Sequence, residues 1–414
     1  MGKRIYGLLG RSLKHSYSEL IHRELGNADY HLIELEPEEL CAFLRREDIG
    51  GLNVTIPYKR DVIPFCDALD QTARVVGSVN TIVRSRDGRL VGYNTDVYGL
   101  TCMAQRAGIS FAGRKVVVFG SGGASLTAQY AAKQGGAREV VVVSRSGPDT
   151  YETLSRHADA ELLVNATPVG MYPNNGALPA DPAGFPACKG VLEFVYNPLR
   201  TALTLRAQSL GIPVSDALIM LTAQAKAAEE LFWDQTLPES EITRIVLLLK
   251  QQTQNIVLVG MPGSGKSSVG AALGRLSGRE TVDFDREIEL AAGKPIPRIF
   301  AESGEEAFRE LERQTARQWG AEHGRILITG GGIVKDERNY VSLKQNGRIY
   351  QVEREVARLE RAGRPLSEHA DLAAMQRERQ PLYERFRDAS AQNGASAEQA
   401  AREIWEEYNE NFSR

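Results

Sequence analysis

Short apolar runs alternate with helical periodicity along almost the whole chain, the pattern of repeated α/β units. IYGLLG (5–10), YHLIELE (30–36), LNVTIP (52–57), KVVVFG (115–120), EVVVVS (139–144), ELLVNAT (161–167) and GVLEFVYN (190–197) have the length and β-branched content of strands. Asp87-Gly88, between VNTIVRSR and RLVGYNTD, predicts a β-hairpin. Residues 217–233 and 239–250 read as helices. QQTQ (251–254) then interrupts the pattern with four uncharged polar residues, and NIVLVG (255–260) opens a fresh α/β series that runs to the end. No internal repeat is present.

A chain of 414 residues exceeds one ordinary core and predicts two or three domains. Its 42% hydrophobic and 25% charged residues supply a normal globular interior. A net charge of −3 draws it neither to nucleic acid nor to an anionic membrane. The basic stretches RLERAGRP and MQRERQPLYERFR interleave acidic residues and read by themselves as solvated faces. The four cysteines have no paired spacing, so no zinc site or disulfide framework is predicted. MGKRIYGLLGRSLKHS is too short in apolar residues for a signal peptide, and no run nears the roughly 20 residues that cross a bilayer. The expectation is a cytoplasmic protein acting on small molecules, monomer or homodimer being left open.

Two glycine-rich loops of different design change this picture. Gly260 to Ser267 reads GMPGSGKS, the G-x-x-x-x-G-K-[ST] pattern, between an apolar strand and a helical run. Such glycines let backbone N–H groups converge on phosphate, with Lys266 reaching the β/γ-phosphates and the Ser267 hydroxyl ligating Mg²⁺. TVDFDREIE puts Asp283 and Asp285 two apart, predicted on one side of a strand end. GEEAFRELE, TGGG, AGRPLSEH and RQPLYERF follow. Any of their arginines alone reads as a surface ion pair. Together, in this order, they resemble shikimate kinase over residues 255–390.

The resemblance implies ATP held by Gly263, Ser264, Gly265, Lys266, Ser267 and Ser268, with Arg361 beside the nucleotide. It implies Mg²⁺ at Ser267 and Asp283, and Asp285 orienting or deprotonating the attacking hydroxyl. Arg309 and Arg379 would clamp the substrate carboxylate as planar bidentate donors. Gly330, Gly331 and Gly332 would let backbone approach the ring, and Arg364, on a lid, would stabilise the transferring phosphoryl group. The lid is short, with Ser367 where an apolar residue is usual.

Upstream, Gly120-Ser-Gly-Gly-Ala-Ser125 follows KVVVF and precedes a helical run, the setting of a dinucleotide loop. The next strand ends Ser144-Arg145-Ser146, with arginine instead of a carboxylate, which suits a 2′-phosphate and so NADP. HSYS, NVTIPYK, GSVNT, GYNTD, NATPVGM, VYNP and MLTAQA are arranged around it in an order that resembles shikimate dehydrogenase over residues 5–250.

That resemblance implies Lys59 and Asp96 as the proton-transferring pair, leaving open which of them moves the proton. Ser16 and Ser18 would bind the substrate carboxylate, and Asn53, Thr55, Asn80, Gln224 and Tyr196 (with Asp96) the ring hydroxyls. NADP would lie on Gly120, Ser121, Gly122, Gly123 and Ala124, on Ser144, Arg145 and Ser146, and on Thr167 of NATPVGM. His15 and His22 are given no role beyond packing or capping. Three departures stand out: Glu19 in place of proline after H-S-x-S, one basic residue in SRSGPDT, and DALIML (216–221) where glycines are common.

The fold expected is α/β throughout. A substrate-binding α/β domain (1–98 and 217–250) is joined to a Rossmann NADP domain (99–216), a linker (251–254) and a P-loop kinase domain of the nucleoside monophosphate kinase type (255–414). The predicted function is reduction of 3-dehydroshikimate with NADPH, then phosphorylation of shikimate with ATP·Mg²⁺. The alternatives are a quinate/shikimate dehydrogenase fused to a related small-polyol kinase, or one half serving as a non-catalytic nucleotide sensor.

Overall fold

A computed structural model describes residues 4–13, 16–359 and 371–412. The chain forms two compact units: Met1–Asn197 with Leu203–Val246, and Pro198–Ala202 with Leu247–Arg414.

The first unit holds two sheets. One contains β1 (Ile5–Gly10), β2 (Tyr30–Glu34), β3 (Ile49–Val54), β4 (Ala68–Leu69), β5 (Thr81–Arg84) and β6 (Leu90–Tyr93), in the order β2-β1-β3-β5-β6-β4. β1 pairs in parallel with β2 and β3, whereas β5 runs antiparallel to β3 and β6. The Asp87-Gly88 hairpin forms here, with Gly88 at φ 87°, and Ser85 N–H donating to the Arg89 carbonyl at 2.9 Å.

The other sheet contains β7 (Lys115–Phe119), β8 (Glu139–Ser144), β9 (Asp149–Thr150), β10 (Leu162–Asn165) and β11 (Gly190–Glu193). It is wholly parallel, in the order β11-β10-β7-β8-β9. Every residue of β7 and β10 is buried, as expected of central parallel strands that pack side chains on both faces.

The helices of this unit are α1 (Ser18–Glu24), α2 (Leu40–Leu44), α3 (Gln71–Val76), α4 (Asp96–Arg106), α5 (Gly123–Gln134), α6 (Ala202–Ser209) and α7 (Ala217–Trp233). The bounds of α7 coincide with the sequence expectation. Asp216 caps its N-terminus through the Leu218 N–H, and Asp234 ends it in a left-handed turn at φ 52°. α4 and α7 pack so closely that a Cβ on Gly99 would lie 2.6 Å from the Met220 carbonyl.

The predicted break at 251–254 is corrected by α8, which runs Ser240–Thr253 without interruption. Gln and Thr are tolerated in helices, and no Gly or Pro stops this one before Asn255 begins the next strand. Its last residues are bound inside the second unit. Arg279 donates to the carbonyls of Gln251 and Gln254, the latter at 2.8 Å, and Tyr408 Oη donates to Gln251 O at 2.8 Å. Helix-terminal carbonyls that lack an intrahelical partner are thereby satisfied.

The second unit is built on β12 (Asn255–Val259), β13 (Thr281–Asp283), β14 (Ile326–Ile328), β15 (Gly347–Glu353) and β16 (Ala389–Gln392), all parallel, in the order β13-β14-β12-β15-β16. Around them lie α9 (Lys266–Ser277), α10 (Phe284–Ala292), α11 (Ile296–Gly320), α12 (Glu337–Lys344), α13 (Leu372–Phe386) and α14 (Ala397–Glu410). β12 alternates its side chains between two apolar clusters, Val257 and Val259 into one, Ile256 and Leu258 into the other. Among the described residues, no helix is long and apolar enough to cross a membrane.

Candidate active sites

In the first unit, residues from four sequence motifs meet where the end of β3 and the start of β5 lie by the start of α4. Lys59 Nζ donates to Asp96 Oδ2 at 2.6 Å, in a pair whose side chains are 20% and 10% exposed. Asn80 Nδ2 lies 2.9 Å from both Thr95 Oγ1 and Asp96 Oδ1, and 3.3 Å from Gln224 Oε1. With two hydrogens for three acceptors, the amide serves the shorter pair, and Gln224 is held instead by its own Nε2, which donates to the Leu221 carbonyl at 2.9 Å. Asn53 is buried on β3, its Oδ1 accepting from Tyr30 Oη at 2.8 Å. Thr55 follows it, its N–H bound to the Leu9 carbonyl at 2.9 Å.

Ser18 is buried at the first position of α1, and its N–H donates to Ser16 Oγ at 3.2 Å, closing the turn in which Glu19 replaces proline. The Tyr17 ring in that turn stands 5.6 Å from Tyr196, and burial pushes the Tyr17 hydroxyl up to about 12. The structure thus brings Lys59, Asn80, Asp96 and Gln224 together, and places Tyr196 beside the turn that carries Ser16 and Ser18. His15 lies outside the described residues. His22 is no cap; it is wholly buried, with Nδ1 2.5 Å from Glu229 Oε1.

The glycine loop lies beside this cluster. Gly120 turns at φ 103°, where a Cβ would stand 2.9 Å from the Thr167 methyl, so only glycine allows the NATPVGM loop this close. Gly122 caps α5, and Gly123 and Ala124 are its first residues. A Cβ on Gly123 would be 3.9 Å from Lys59 Cδ, which brings the cofactor loop to the Lys59–Asp96 pair.

Ser121, Ser144 and Ser146 line a cavity of about 550 Å³ beside β8, and Arg145 is exposed on the same loop. Asp149 and His157, which sequence reasoning missed, line it too and pair at 2.9 Å. Also missed is Glu193, fully buried, which accepts from Asn165 Nδ2 at 2.9 Å and so braces the loop carrying Thr167. Its only signal is a carboxylate inside an apolar run.

In the second unit the P-loop joins β12 to α9. Gly260, Gly263 and Gly265 adopt φ 147°, 81° and 89°, conformations that favour glycine. Lys266 Nζ donates to the carbonyls of Gly260 and Met261 at 2.9 and 3.1 Å. Ser264 is buried, its carbonyl held at 2.8 Å by Asn393 Nδ2. Asn393 comes 129 residues later, in a stretch without any motif. Ser267 and Ser268 are exposed in the first turn of α9.

Ser267 Oγ donates to Asp283 Oδ2 at 3.1 Å. Asp283 and Asp285 do not share a strand face, a correction to the sequence expectation. β13 ends at Asp283, which caps α10, and its Oδ1 accepts from the Asp285 N–H at 3.1 Å. A carboxylate at a helix N-terminus competes well with strand continuation, because it satisfies an otherwise unpaired donor.

The triple glycine follows from close approach. A Cβ on Gly330 would come 3.1 Å from Asp285 Oδ1, and one on Gly332 only 2.5 Å from Arg309 Nη1. Gly331 offers its carbonyl to Arg379 Nη1 at 3.0 Å and to Tyr383 Oη at 2.6 Å. Asp285, Arg309 and Arg379 therefore surround one glycine turn. Arg309 is itself fixed by Glu312, at 2.8 Å, and by Glu305. Burial raises the Glu312 carboxyl, which Arg309 opposes. Sequence reasoning missed Glu312, one helical turn beyond Arg309. Arg361, Arg364 and Ser367 lie outside the described residues.

The shikimate kinase family model matches residues 262–409, and that of the shikimate dehydrogenase substrate binding domain matches residues 8–82. Shikimate dehydrogenase (NADP(+)) of Caldicellulosiruptor bescii is 34% identical over 261 residues, covering 55% of this chain and 88% of that protein. The chorismate mutase/shikimate 5-dehydrogenase fusion protein from Clostridium acetobutylicum is 32% identical with a TM-score of 0.57, covering 60% and 97%. Shikimate 5-dehydrogenase from Thermus thermophilus, solved with NADP(H) and shikimate, is 30% identical with a TM-score of 0.53, covering 58% and 97%.

Proposed function

The chain belongs to the shikimate dehydrogenase family and carries a shikimate kinase domain behind it, and from this premise we propose how its own residues divide the work. The protein is an NADP-dependent shikimate dehydrogenase and a shikimate kinase, so one chain reduces 3-dehydroshikimate and phosphorylates the product.

In the first unit, Ser16 and Ser18 hold the substrate carboxylate, while Asn53, Thr55, Asn80, Gln224 and Tyr196 hold its ring hydroxyls. The proton that the carbonyl oxygen gains comes from the Lys59–Asp96 pair. The observation that carries this reading is their 2.6 Å contact within reach of Gly123, three motifs distant in sequence converging on one cleft. The close-packed Gly120–Thr167 turn and the α5 N-terminus fit a pyrophosphate-linked cofactor, with Arg145 reading its 2′-phosphate. NADPH bound there supplies the hydride.

In the second unit, the left-handed glycines and Lys266 fit a triphosphate, and the all-oxygen pair Ser267–Asp283 fits a hard cation such as Mg²⁺. ATP·Mg²⁺ bound there supplies the phosphoryl group. Arg309 and Arg379 clamp the shikimate carboxylate, and Asp285 accepts the proton from the attacking hydroxyl. Arg364, outside the described residues, is assigned by the family resemblance alone to the transferring phosphoryl group.

The test is one reaction holding 3-dehydroshikimate, NADPH and ATP·Mg²⁺, followed both by NADPH absorbance and by acid-stable phosphate ester. NADPH loss followed by ester formation is the expected result. Ester without NADPH loss, or the reverse, would remove one half of the assignment.

A further inference from the structure

Behind the dehydroshikimate pocket lies a buried polar cluster that the proposed chemistry does not use. His22 and Glu229 are both fully buried. Glu229 Oε1 takes two partners, His22 Nδ1 at 2.5 Å and Asn27 Nδ2 at 2.9 Å. His22 and Asn27 thus converge on one carboxylate oxygen. Burial pushes the His22 imidazole down, with Glu229 and then Asn53 opposing it. His22 Nε2 and Glu229 Oε2 have no hydrogen-bond partner among the described residues. Such a pair is expensive to bury, and an apolar pair would pack α1 against α7 at less cost.

What the pair adds is orientation. The His22 ring lies flat on Tyr30, centroids 3.7 Å apart and planes 5° from parallel. Tyr30 Oη donates to Asn53 Oδ1 at 2.8 Å, and Asn53 Nδ2 donates to Thr81 Oγ1 at 3.3 Å. Thr81 Oγ1 in turn lies 3.2 Å from both Asn80 Oδ1 and Thr95 Oγ1, so the chain of contacts runs from Tyr30 through Asn53 to Asn80. Asn53 is thus held between the Tyr30 hydroxyl and Thr81, with the His22 ring beside it. His22 also stands one helical turn from Ser18 on the same face of α1.

We propose that the buried His22–Glu229 pair is a positioning device for the dehydroshikimate pocket: it holds Tyr30, and through the Tyr30 hydroxyl the side chain of Asn53, in place for the substrate, and it anchors the helix that presents Ser18. This rests on the reading of Asn53 as a substrate contact. Neither His22 nor Glu229 touches the reacting atoms; both act through their neighbours.

The experiment uses the full chain, with shikimate oxidation by NADP⁺ as the assay and melting temperature and kinase turnover as controls. Glu229→Gln keeps the shape and removes the charge; Tyr30→Phe keeps the stacked ring and removes only the hydroxyl. Tyr30→Phe is expected to raise KM for shikimate about fivefold, the effect of one lost hydrogen bond, and Glu229→Gln, which keeps Oε1 but weakens it as an acceptor, to raise it by less, while kcat and KM for NADP⁺ change less than about twofold. In an Asn53→Ala background Tyr30→Phe should have no further effect, since its action passes through Asn53.

A purely structural role would lower the active fraction, and hence Vmax, at constant KM, and that result would overturn the proposal. Should Glu229→Gln fail to fold, Tyr30→Phe decides alone: an unchanged KM sinks the idea. If Asn53→Ala itself leaves KM for shikimate unaltered, the reading of Asn53 fails and takes the inference with it. If Asn53→Ala raises KM and Tyr30→Phe does not, only the inference is lost.

Discussion

Gly332→Ala isolates the close approach on which the kinase site depends. The added Cβ would sit 2.5 Å from Arg309 Nη1, 2.7 Å from Nη2 and 3.0 Å from Cζ, whereas ordinary contact begins at 3.4 Å, so the guanidinium must retreat by 0.9 Å. An exposed arginine would move at little cost. Arg309 is only 8% exposed, and hydrogen bonds to Glu305 and to Glu312, itself 1% exposed, hold it in place. The backbone contributes no strain, because Gly332 lies at φ −102°, open to any residue. The effect is therefore the misplacement of Arg309, the proposed carboxylate clamp. A displacement near 1 Å costs about 100-fold, roughly 2.7 kcal/mol. Kinase kcat/KM for shikimate should fall by that factor, mainly through KM, with NADPH oxidation by the same preparation unaffected. Kinase activity within about threefold of wild type would show that Arg309 does not bind substrate from this position.

Lys59→Ala should abolish NADPH oxidation and spare shikimate phosphorylation, and Lys266→Ala should do the reverse; loss of both activities in a folded variant would contradict two separate sites. Arg145→Ala should raise KM for NADPH and leave that for NADH nearly unchanged, and an equal effect on both would mean that Arg145 does not read the 2′-phosphate. Asp336 is held well below the usual carboxylate range by Arg338 and, against the opposing effect of burial, by Arg313. A depressed folded pKa gives stabilisation that is full above the unfolded value of about 3.9 and is lost as pH falls through the folded one. The melting-temperature gap between wild type and Asp336→Asn, which keeps the α12 cap, should thus be widest near neutrality and close in acid; a pH-independent gap would point to lost geometry instead. A kinase fragment beginning at Asn255 should melt several degrees below one beginning at Ser240, because it lacks the Gln251 and Gln254 carbonyls that Arg279 and Tyr408 bind. Equal melting would show that the last turn of α8 contributes nothing to that unit.

Much of this protein was legible in its sequence wherever the controlling interaction is local. The glycines of the P-loop, the Asp87-Gly88 hairpin and the limits of α7 follow from backbone preferences and periodicity within a few residues, and the residues proposed to touch ligands lie in short motifs with fixed internal spacing. What the sequence leaves undetermined is whatever a distant segment decides. QQTQ looks like a break because uncharged polar residues carry no periodicity, yet α8 runs through it, and Arg279 and Tyr408, both distant in the chain, bind the exposed carbonyls. Asp283 caps α10 instead of sharing a strand face with Asp285, a choice made by the helix that begins there. Asn393 supports the P-loop from 129 residues away, and Glu229 reaches His22 across 207. A charged or amide side chain inside an apolar helix or at a strand end gives no local sign of its partner. Only closure of the sheets and the packing of α1 on α7 bring the two groups within hydrogen-bonding distance, and the cost of leaving either unpaired in a dry interior keeps them together.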